Sequence, residues 1–304
     1  MVIQPGLLDS VVARIEALDP LHGKKTRQWI ESNDAAFRRR AEDFLAQVDE
    51  FLRGSGHDLS FGVDCYLRWI RDIRAEMVDF MRTGEYSCKS FAEVNRRVYA
   101  DPGVMEAHTI GLLLSRLLLK HNYQPLEFFV SLLPPMAGRV ESFLEIGAGH
   151  GLFIAEARKA FAETASYDVL DISESAIGVA RRLIQAPEVH FIVGDVLAWD
   201  APRRYDFIAM AEVIEHLEDP LPLMRRVRGL LAPHGVLFLT TPTNAPAIDH
   251  IYLFHNASEI RSLIAEAGYA IVEEACFAAA NVLPERAEEL KITTIYCGLL
   301  RSRA

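Results

Sequence analysis

The sequence predicts an α/β protein, with a mostly parallel sheet carrying helices on both faces and an all-helical half ahead of it. Three observations lead there. Up to about Leu133 the apolar residues recur at helical spacing. After Pro134-Pro135 short apolar runs alternate with helical stretches. The first of those runs meets three glycines at alternate positions, in "FLEIGAGHGLF" from Phe143 to Phe153. Strand–helix alternation implies parallel pairing, because a parallel neighbour is reached only through a crossover connection.

The helical half comes first. Tyr66, Ile70, Ile73, Met77 and Phe80 follow the 4,3,4,3 rule of one helix face. "MEAHTIGLLLSRLLLKHNY" is apolar nearly all round and reads as one helix buried between others. Breaks fall at "RGSGHD", "RTGEYS", "ADPG" and "LPPMAG", and no strand is expected before them. This predicts a helical unit over residues 1–133 and a sheet unit over 134–304. The second unit offers the strands "VESFLEI", "ASYDVL", "VHFIV", "YDFIAM", "GVLFLTT", "AIVEEA" and "ITTIYCGLL". The last two are separated by "FAAANVLPERAEEL", which reads as a loop and lets the final strand enter antiparallel.

The 304 residues are half hydrophobic, enough for a sizeable core in one large unit or two modest ones. A net charge of −10 and a pI near 5.5 argue against a nucleic-acid partner, which selects for a basic face. The densest basic run, "FRRR" at Phe37 to Arg40, reads as a solvated helix face. Cys65, Cys88, Cys276 and Cys297 have no metal-like spacing and read as reduced thiols. The first residues carry acids close behind a short apolar stretch, unlike a signal peptide. "IGLLLSRLLL" is too short to span a bilayer. These features predict a cytoplasmic protein off the membrane. A homodimer is compatible with them, and nothing in the sequence fixes the oligomeric state.

The glycine loop, Gly147-x-Gly149-x-Gly151, differs from the dinucleotide fingerprint G-x-G-x-x-G. Its third glycine comes one residue early, and Glu145 sits just before the first. A carboxylate there repels a pyrophosphate and suits an ammonium. About twenty residues on, "YDVLDIS" ends a strand with Asp171, at the spacing of an acid that accepts from ribose hydroxyls. "VHFIVGDVLAWD" puts Asp195 after the third strand, where it can accept from an adenine amino group. The cofactor this describes has adenosine at one end and a cation at the other, with no phosphate between. S-adenosylmethionine fits.

Here the chain resembles the class I S-adenosylmethionine-dependent methyltransferases, over roughly residues 140–300. "FLEIGAGHGLF", "DVLDIS", "GDVLAWD", "YDFIAMAEVIEHLEDP" and "LLAPHGVLFLTTPT" stand in the order and spacing of that family's motifs. The resemblance implies a seven-stranded, Rossmann-like sheet with its last strand antiparallel. It implies an S-adenosylmethionine site lined by Glu145, Gly147, Ala148, Gly149, Gly151, Asp171, Ile172, Asp195, Val196 and Ala211.

"AEVIEHLEDP" is similar to the ubiquinone-biosynthesis O-methyltransferases and related small-molecule enzymes. That implies a small-molecule acceptor methylated on oxygen or nitrogen, with His216 or His250 as general base. The same stretch also matches E-x-x-E-H of the small-RNA 2′-O-methyltransferases. Under that alternative Glu212, Glu215, His216 and His250 hold a divalent metal, Mg or Zn, beside the acceptor hydroxyl. His255 is the other histidine after the fifth strand. The segment "VNRRVYADPGVMEAHTIGLLLS" is expected to cover the cofactor, with Tyr99 and His108 as its polar candidates.

Overall fold

The computed structural model describes residues 6–161, 166–280, 282 and 284–303. The helical half contains α1 (Leu7–Leu18), α2 (Pro20–Glu31), α3 (Ala35–Arg53) and α4 (Leu59–Thr83). A short α5 (Phe91–Val94) then runs into a π-turn at Asn95–Tyr99, followed by α6 (Pro102–Leu118) and α7 (Lys120–Leu132). Local chemistry starts these helices. Asp34 and Asp58 accept from the N–H groups of Phe37 and Phe61, and Asp101 caps α6 with Pro102 in its first turn.

The stretch read as one all-round apolar helix is two helices. Leu119, with φ −119° and ψ 123°, is an extended corner between α6 and α7. Asn122 Nδ2 donates to Ser115 Oγ at 2.9 Å and pins the corner. The pattern is apolar all round because the two pieces fill different cores. Leu113, Leu114 and Leu117 of α6 join the core of α1–α4. Phe129 of α7 packs on the sheet against Phe153, Phe207 and Phe238, with ring centroids 5.0–5.8 Å away.

The sheet has seven strands: β1 (Ser142–Ile146), β2 (Ser166–Asp171), β3 (Val189–Val193), β4 (Tyr205–Ala211), β5 (Leu231–Thr243), β6 (Tyr269–Ala278) and β7 (Thr294–Ser302). Their order is β3-β2-β1-β4-β5-β7-β6. All pairings are parallel except those of β7, which runs antiparallel between β5 and β6. The crossovers carry α8 (Leu152–Ala160), α9 (Glu174–Ile184), α10 (Pro220–Leu230) and α11 (Ala257–Glu266). The connection expected as a loop between β6 and β7 contains a helix, α12 (Pro284–Glu289). Six residues are too few to carry a readable period, and Ala287 is buried. Residues 281 and 283 of that connection lie outside the described residues.

The sheet's two faces bury separate apolar clusters, one under α10 and α11 and the other under α7 and α8. The helical half has its own core, which takes in Leu152 of α8 and Val179 of α9. β1 lies between β2 and β4. The chain after β1 and the chain after β4 therefore leave in different directions, opening a crevice at the carboxyl ends of the strands.

Candidate functional site

That crevice holds a cavity of about 200 Å³. β1 and its loop supply Glu145, Gly147, Ala148 and Gly149, β2 leads to Asp171 and Ile172, β3 to Asp195 and Val196, and β4 to Ala211 and Glu212. The roof is helical: Tyr99 of the π-turn, then Met105, His108, Leu112 and Arg116 of α6. A more open cavity of about 530 Å³ shares Phe91, Tyr99, Ile172 and Ser173 with it, so those residues stand between an inner chamber and an outer vestibule.

The three glycines serve different ends. A Cβ on Gly147 would lie 2.4 Å from Val213 Cγ2, and the residue has φ +68°. Its own packing and backbone already call for glycine here, while the residue also lines the cavity. Gly149, with φ +50°, is the open one: a Cβ there would meet nothing within 4 Å. Gly151 does not line the cavity; a Cβ there would meet Ile184 Cδ1 of α9 at 2.6 Å.

Each acid is fixed by backbone donors. Glu145 is 3% exposed, and its Oε2 accepts from Ile154 N in the first turn of α8 at 2.8 Å. Burial pushes its carboxyl up to about 8, opposed by that hydrogen bond and by Arg116. Asp171 accepts from Ser173 N at 2.8 Å and Gly149 N at 3.2 Å, tying the glycine loop to the end of β2. Burial raises its pKa too. Ser173, rather than Asp171, caps α9 through Ala176 N. Asp195 Oδ1 accepts from Leu197 N at 2.9 Å, which leaves Oδ2 uncommitted among the described residues. Ile172 and Leu197 are about half exposed and line the cavity, presenting two apolar faces to a flat ring.

Sequence reasoning missed Arg116. It is 4% exposed, lies over the Phe153 ring at 5.8 Å, and points Nε at His150 Nε2 at 3.4 Å. It makes no ion pair among the described residues, and burial lowers its pKa. An apolar helix hid it: its cue was a charge in the middle of "GLLLSRLLL". A guanidinium with free N–H groups in a cavity wall suits a carboxylate.

The acid–histidine group sits at the β4 side. Glu212 follows β4 at φ +55°, a conformation unusual for a residue with a Cβ, and Thr240 Oγ1 donates to its Oε1 at 2.7 Å. Glu215 is fully buried; Oε2 accepts from Thr241 Oγ1 at 2.9 Å, and Oε1 has no partner among the described residues. Its pKa is raised by burial and then by Glu212. His216 donates Nδ1–H to the Asp249 carbonyl at 2.8 Å, and its Nε2 lies 4.0 Å from Glu215 Oε1. Burial lowers the His216 pKa, but Asp249 and Glu215 outweigh it and raise it overall.

Asp249 was not foreseen. Its carboxylate lies 3.6 Å from His108 Nε2 and 3.7 Å from His216 Nδ1. Burial opposes its charge, yet the neighbouring imidazoles hold it down to about 2. Tyr99 OH reaches His216 Nδ1 at 3.5 Å. His250 does not line the cavity. It packs behind His216, centroids 5.0 Å apart, and gives Nδ1 to the Ala245 carbonyl at 2.6 Å. Burial and His216 lower its pKa to about 4. Ligand atoms of Glu215, His216 and His250 lie within 4.8 Å of one another; Glu212 is not in that group. His255 is exposed and pairs with Glu259.

Strand order, the single antiparallel strand and a glycine-loop cavity at the switch point define a class I S-adenosylmethionine-dependent methyltransferase fold. Residues 118–274 match the family model described as "Methyltransferase domain", and the chain belongs to that family. It is 34% identical over 108 residues to a ubiquinone biosynthesis O-methyltransferase of Xanthomonas campestris pv. campestris (strain B100), covering 34% of this chain and 44% of that protein. It is 31% identical over 105 residues to a malonyl-[acyl-carrier protein] O-methyltransferase of Halalkalibacterium halodurans, covering 33% and 38%. The match thus spans less than half of these relatives. Among solved structures, the N-methyltransferase NodS of Bradyrhizobium japonicum WM9, in complex with S-adenosyl-L-homocysteine, is similar in fold. The TM-score is 0.53 at 19% identity, over 68% of this chain and 98% of that one. No helix among the described residues is long and apolar enough to cross a membrane.

Proposed function

We propose that the protein transfers a methyl group from S-adenosylmethionine to an oxygen or nitrogen of a small molecule. One observation carries this reading. A single cavity joins Glu145, Asp171 and Asp195, at the ends of three adjacent strands, to His216 and to a roof of helical side chains. The residues fit the cofactor. Glu145 suits its ammonium and Arg116 its carboxylate. Asp171 keeps lone pairs for ribose hydroxyls, Asp195 Oδ2 suits the adenine amino group, and Gly149 leaves room for close approach. The bound cofactor supplies a methyl group on a sulfonium, already activated for attack. The chain's task is to align the acceptor, keep water out and take the acceptor's proton. His216 is placed for the last: with Nδ1–H on the Asp249 carbonyl, Nε2 carries the lone pair. Tyr99 and His108, on the roof, are placed to orient the acceptor. A small acceptor suits a chamber closed by α6, and the printed names of the curated relatives describe O-methylation.

A divalent cation is a second reading of the same corner, favoured by one observation. The orphaned Oε1 of Glu215 converges with His216 and His250, and both imidazoles commit Nδ1 to a backbone carbonyl. Backbone acceptors of that kind orient metal-ligating histidines. Glu215, His216 and His250 would hold the ion, without Glu212, and it would lower the pKa of a bound hydroxyl. The RNA 2′-O-methyltransferase alternative draws no support from the comparisons, and the acidic chamber and net charge weigh against it.

The test is methyl transfer from labelled cofactor to a panel of hydroxylated and amino small molecules and to RNA, with and without chelator. Label in a small acceptor, lost in His216→Ala, is the expected result. Loss on chelation with restoration by Mg²⁺, Mn²⁺ or Zn²⁺ would select the metal. Label in RNA alone would overturn the proposal.

A further inference from the structure

We infer that Arg226 of α10 is a positioning residue for adenine recognition, acting through the turn that carries Asp195. This rests on the reading that Asp195 accepts from the adenine amino group. The turn follows β3, an edge strand of the sheet. Beyond the strand its carbonyls have no neighbouring strand to pair with, so they need other donors. Part of the turn closes on itself: Leu197 N donates to Asp195 Oδ1 at 2.9 Å, and Ala198 N and Trp199 N donate to Asp195 O at 3.0 and 2.8 Å. The rest is held from outside. Arg226 Nε donates to Val196 O at 3.2 Å, and Nη2 donates to Trp199 O. Arg226 makes no ion pair among the described residues, and its planar fork is committed to two backbone carbonyls on the same turn.

The clasp sits where the recognition geometry is set. Gly194, Asp195, Val196 and Leu197 all line the cavity, and the two clasped carbonyls belong to the residue after Asp195 and to the residue whose N–H closes the turn. With Leu197 N on Oδ1, the direction of Oδ2 follows the turn's backbone. Trp199 is held a second time by stacking on Tyr205, with centroids 6.3 Å apart. Loss of the fork therefore loosens the aim of Oδ2 before it loosens the fold. α10 leaves the segment that bears Glu212 and His216, so the same helix ties the adenine end of the chamber to the acceptor end.

The experiment compares binding of S-adenosylhomocysteine and S-inosylhomocysteine, which lacks the 6-amino group. Calorimetry would be run on the wild type, Asp195→Ala, Arg226→Ala, Arg226→Lys and the double variant, each shown folded by thermal unfolding. The wild type should prefer the adenosyl compound, and Asp195→Ala should remove that preference. Arg226→Ala should cut it by about tenfold while changing inosyl affinity little, in keeping with one well-aimed hydrogen bond to a charged acceptor. Arg226→Lys, which retains a donor, should restore part of it. The double variant should resemble Asp195→Ala, as expected for residues acting as one unit. If Arg226→Ala weakens both compounds equally, or neither, the residue only braces the fold and the inference fails. If Asp195→Ala keeps the preference, the reading of Asp195 fails first and takes the inference with it.

Discussion

Replacing Glu145 by Gln should make the unliganded protein more stable and its cofactor weaker, two effects of opposite sign from one atom change. Glutamine is nearly isosteric, and its carbonyl oxygen can still accept from Ile154 N, so the cap on α8 survives. What disappears is a buried carboxyl that must either ionise out of water or hold a proton far above its ordinary pKa. Burial raises the Glu145 pKa from the ordinary 4.5 to about 8, so between those values the folded state holds a proton that the unfolded state has lost. Raising the pH then favours unfolding: the contribution is complete below pH 4.5 and gone above about 8. At about 1.4 kcal/mol for each tenfold change in proton affinity, the span is about 5 kcal/mol at most. Water penetration and relaxation around a buried charge bring the measurable loss to roughly 2–4 kcal/mol.

Urea unfolding at a series of pH values, from about 5 to about 9, isolates this residue as the difference between wild type and Glu145→Gln. The wild type should lose stability relative to the variant as pH rises, at no more than about 1.4 kcal/mol per pH unit, and level off near 8. Calorimetry with S-adenosylhomocysteine at neutral pH should show the variant weaker by about 1.5–3 kcal/mol, the range for hydrogen bonds to charged groups. Parallel stability profiles would refute the burial argument. Unchanged affinity in a folded variant would refute the pairing of Glu145 with the ammonium.

Asp171→Ala should weaken S-adenosylhomocysteine by roughly 1–3 kcal/mol and also lower stability slightly, because Gly149 N and Ser173 N lose their acceptor; unchanged affinity by calorimetry would defeat the ribose assignment. Gly147→Ala should cost stability by about 2–4 kcal/mol, from the left-handed backbone and the contact with Val213, whereas Gly149→Ala should cost only the left-handed backbone, about 1–2 kcal/mol, and lose ligand affinity besides; urea midpoints and calorimetry on both separate the two roles. Arg116→Met should keep the α6 packing and weaken S-adenosylhomocysteine by about tenfold or more, but leave a decarboxylated analogue unaffected; equal losses for both ligands would remove Arg116 from the carboxylate.

Much of the fold was legible in the sequence because it rests on local period. Alternating apolar runs and helical stretches mark a parallel sheet from about residue 142 onward, and β7 enters antiparallel from a connection that contains the short α12. The acids at the ends of β1, β2 and β3 were legible for a related reason. Each stands at or within two residues of a strand's end, and the sheet's topology brings strand ends together whatever the helices do. Tertiary packing decided what local pattern does not encode. Leu119 breaks an apolar run that looks continuous, because two helices are needed to reach two cores. His250 turns away from the cavity towards Ala245 while His216, one strand earlier, faces it. Arg116 and Asp249 come from segments more than 130 residues apart and meet the same chamber only after α6 folds across the sheet. Gly147 and Gly149 look equivalent in a motif, yet one is filled by Val213 and the other faces open space. A motif records which residue types stand at which spacing. Which side chains then occupy the space around them depends on neighbours distant in the chain, and only the packed structure brings those neighbours in.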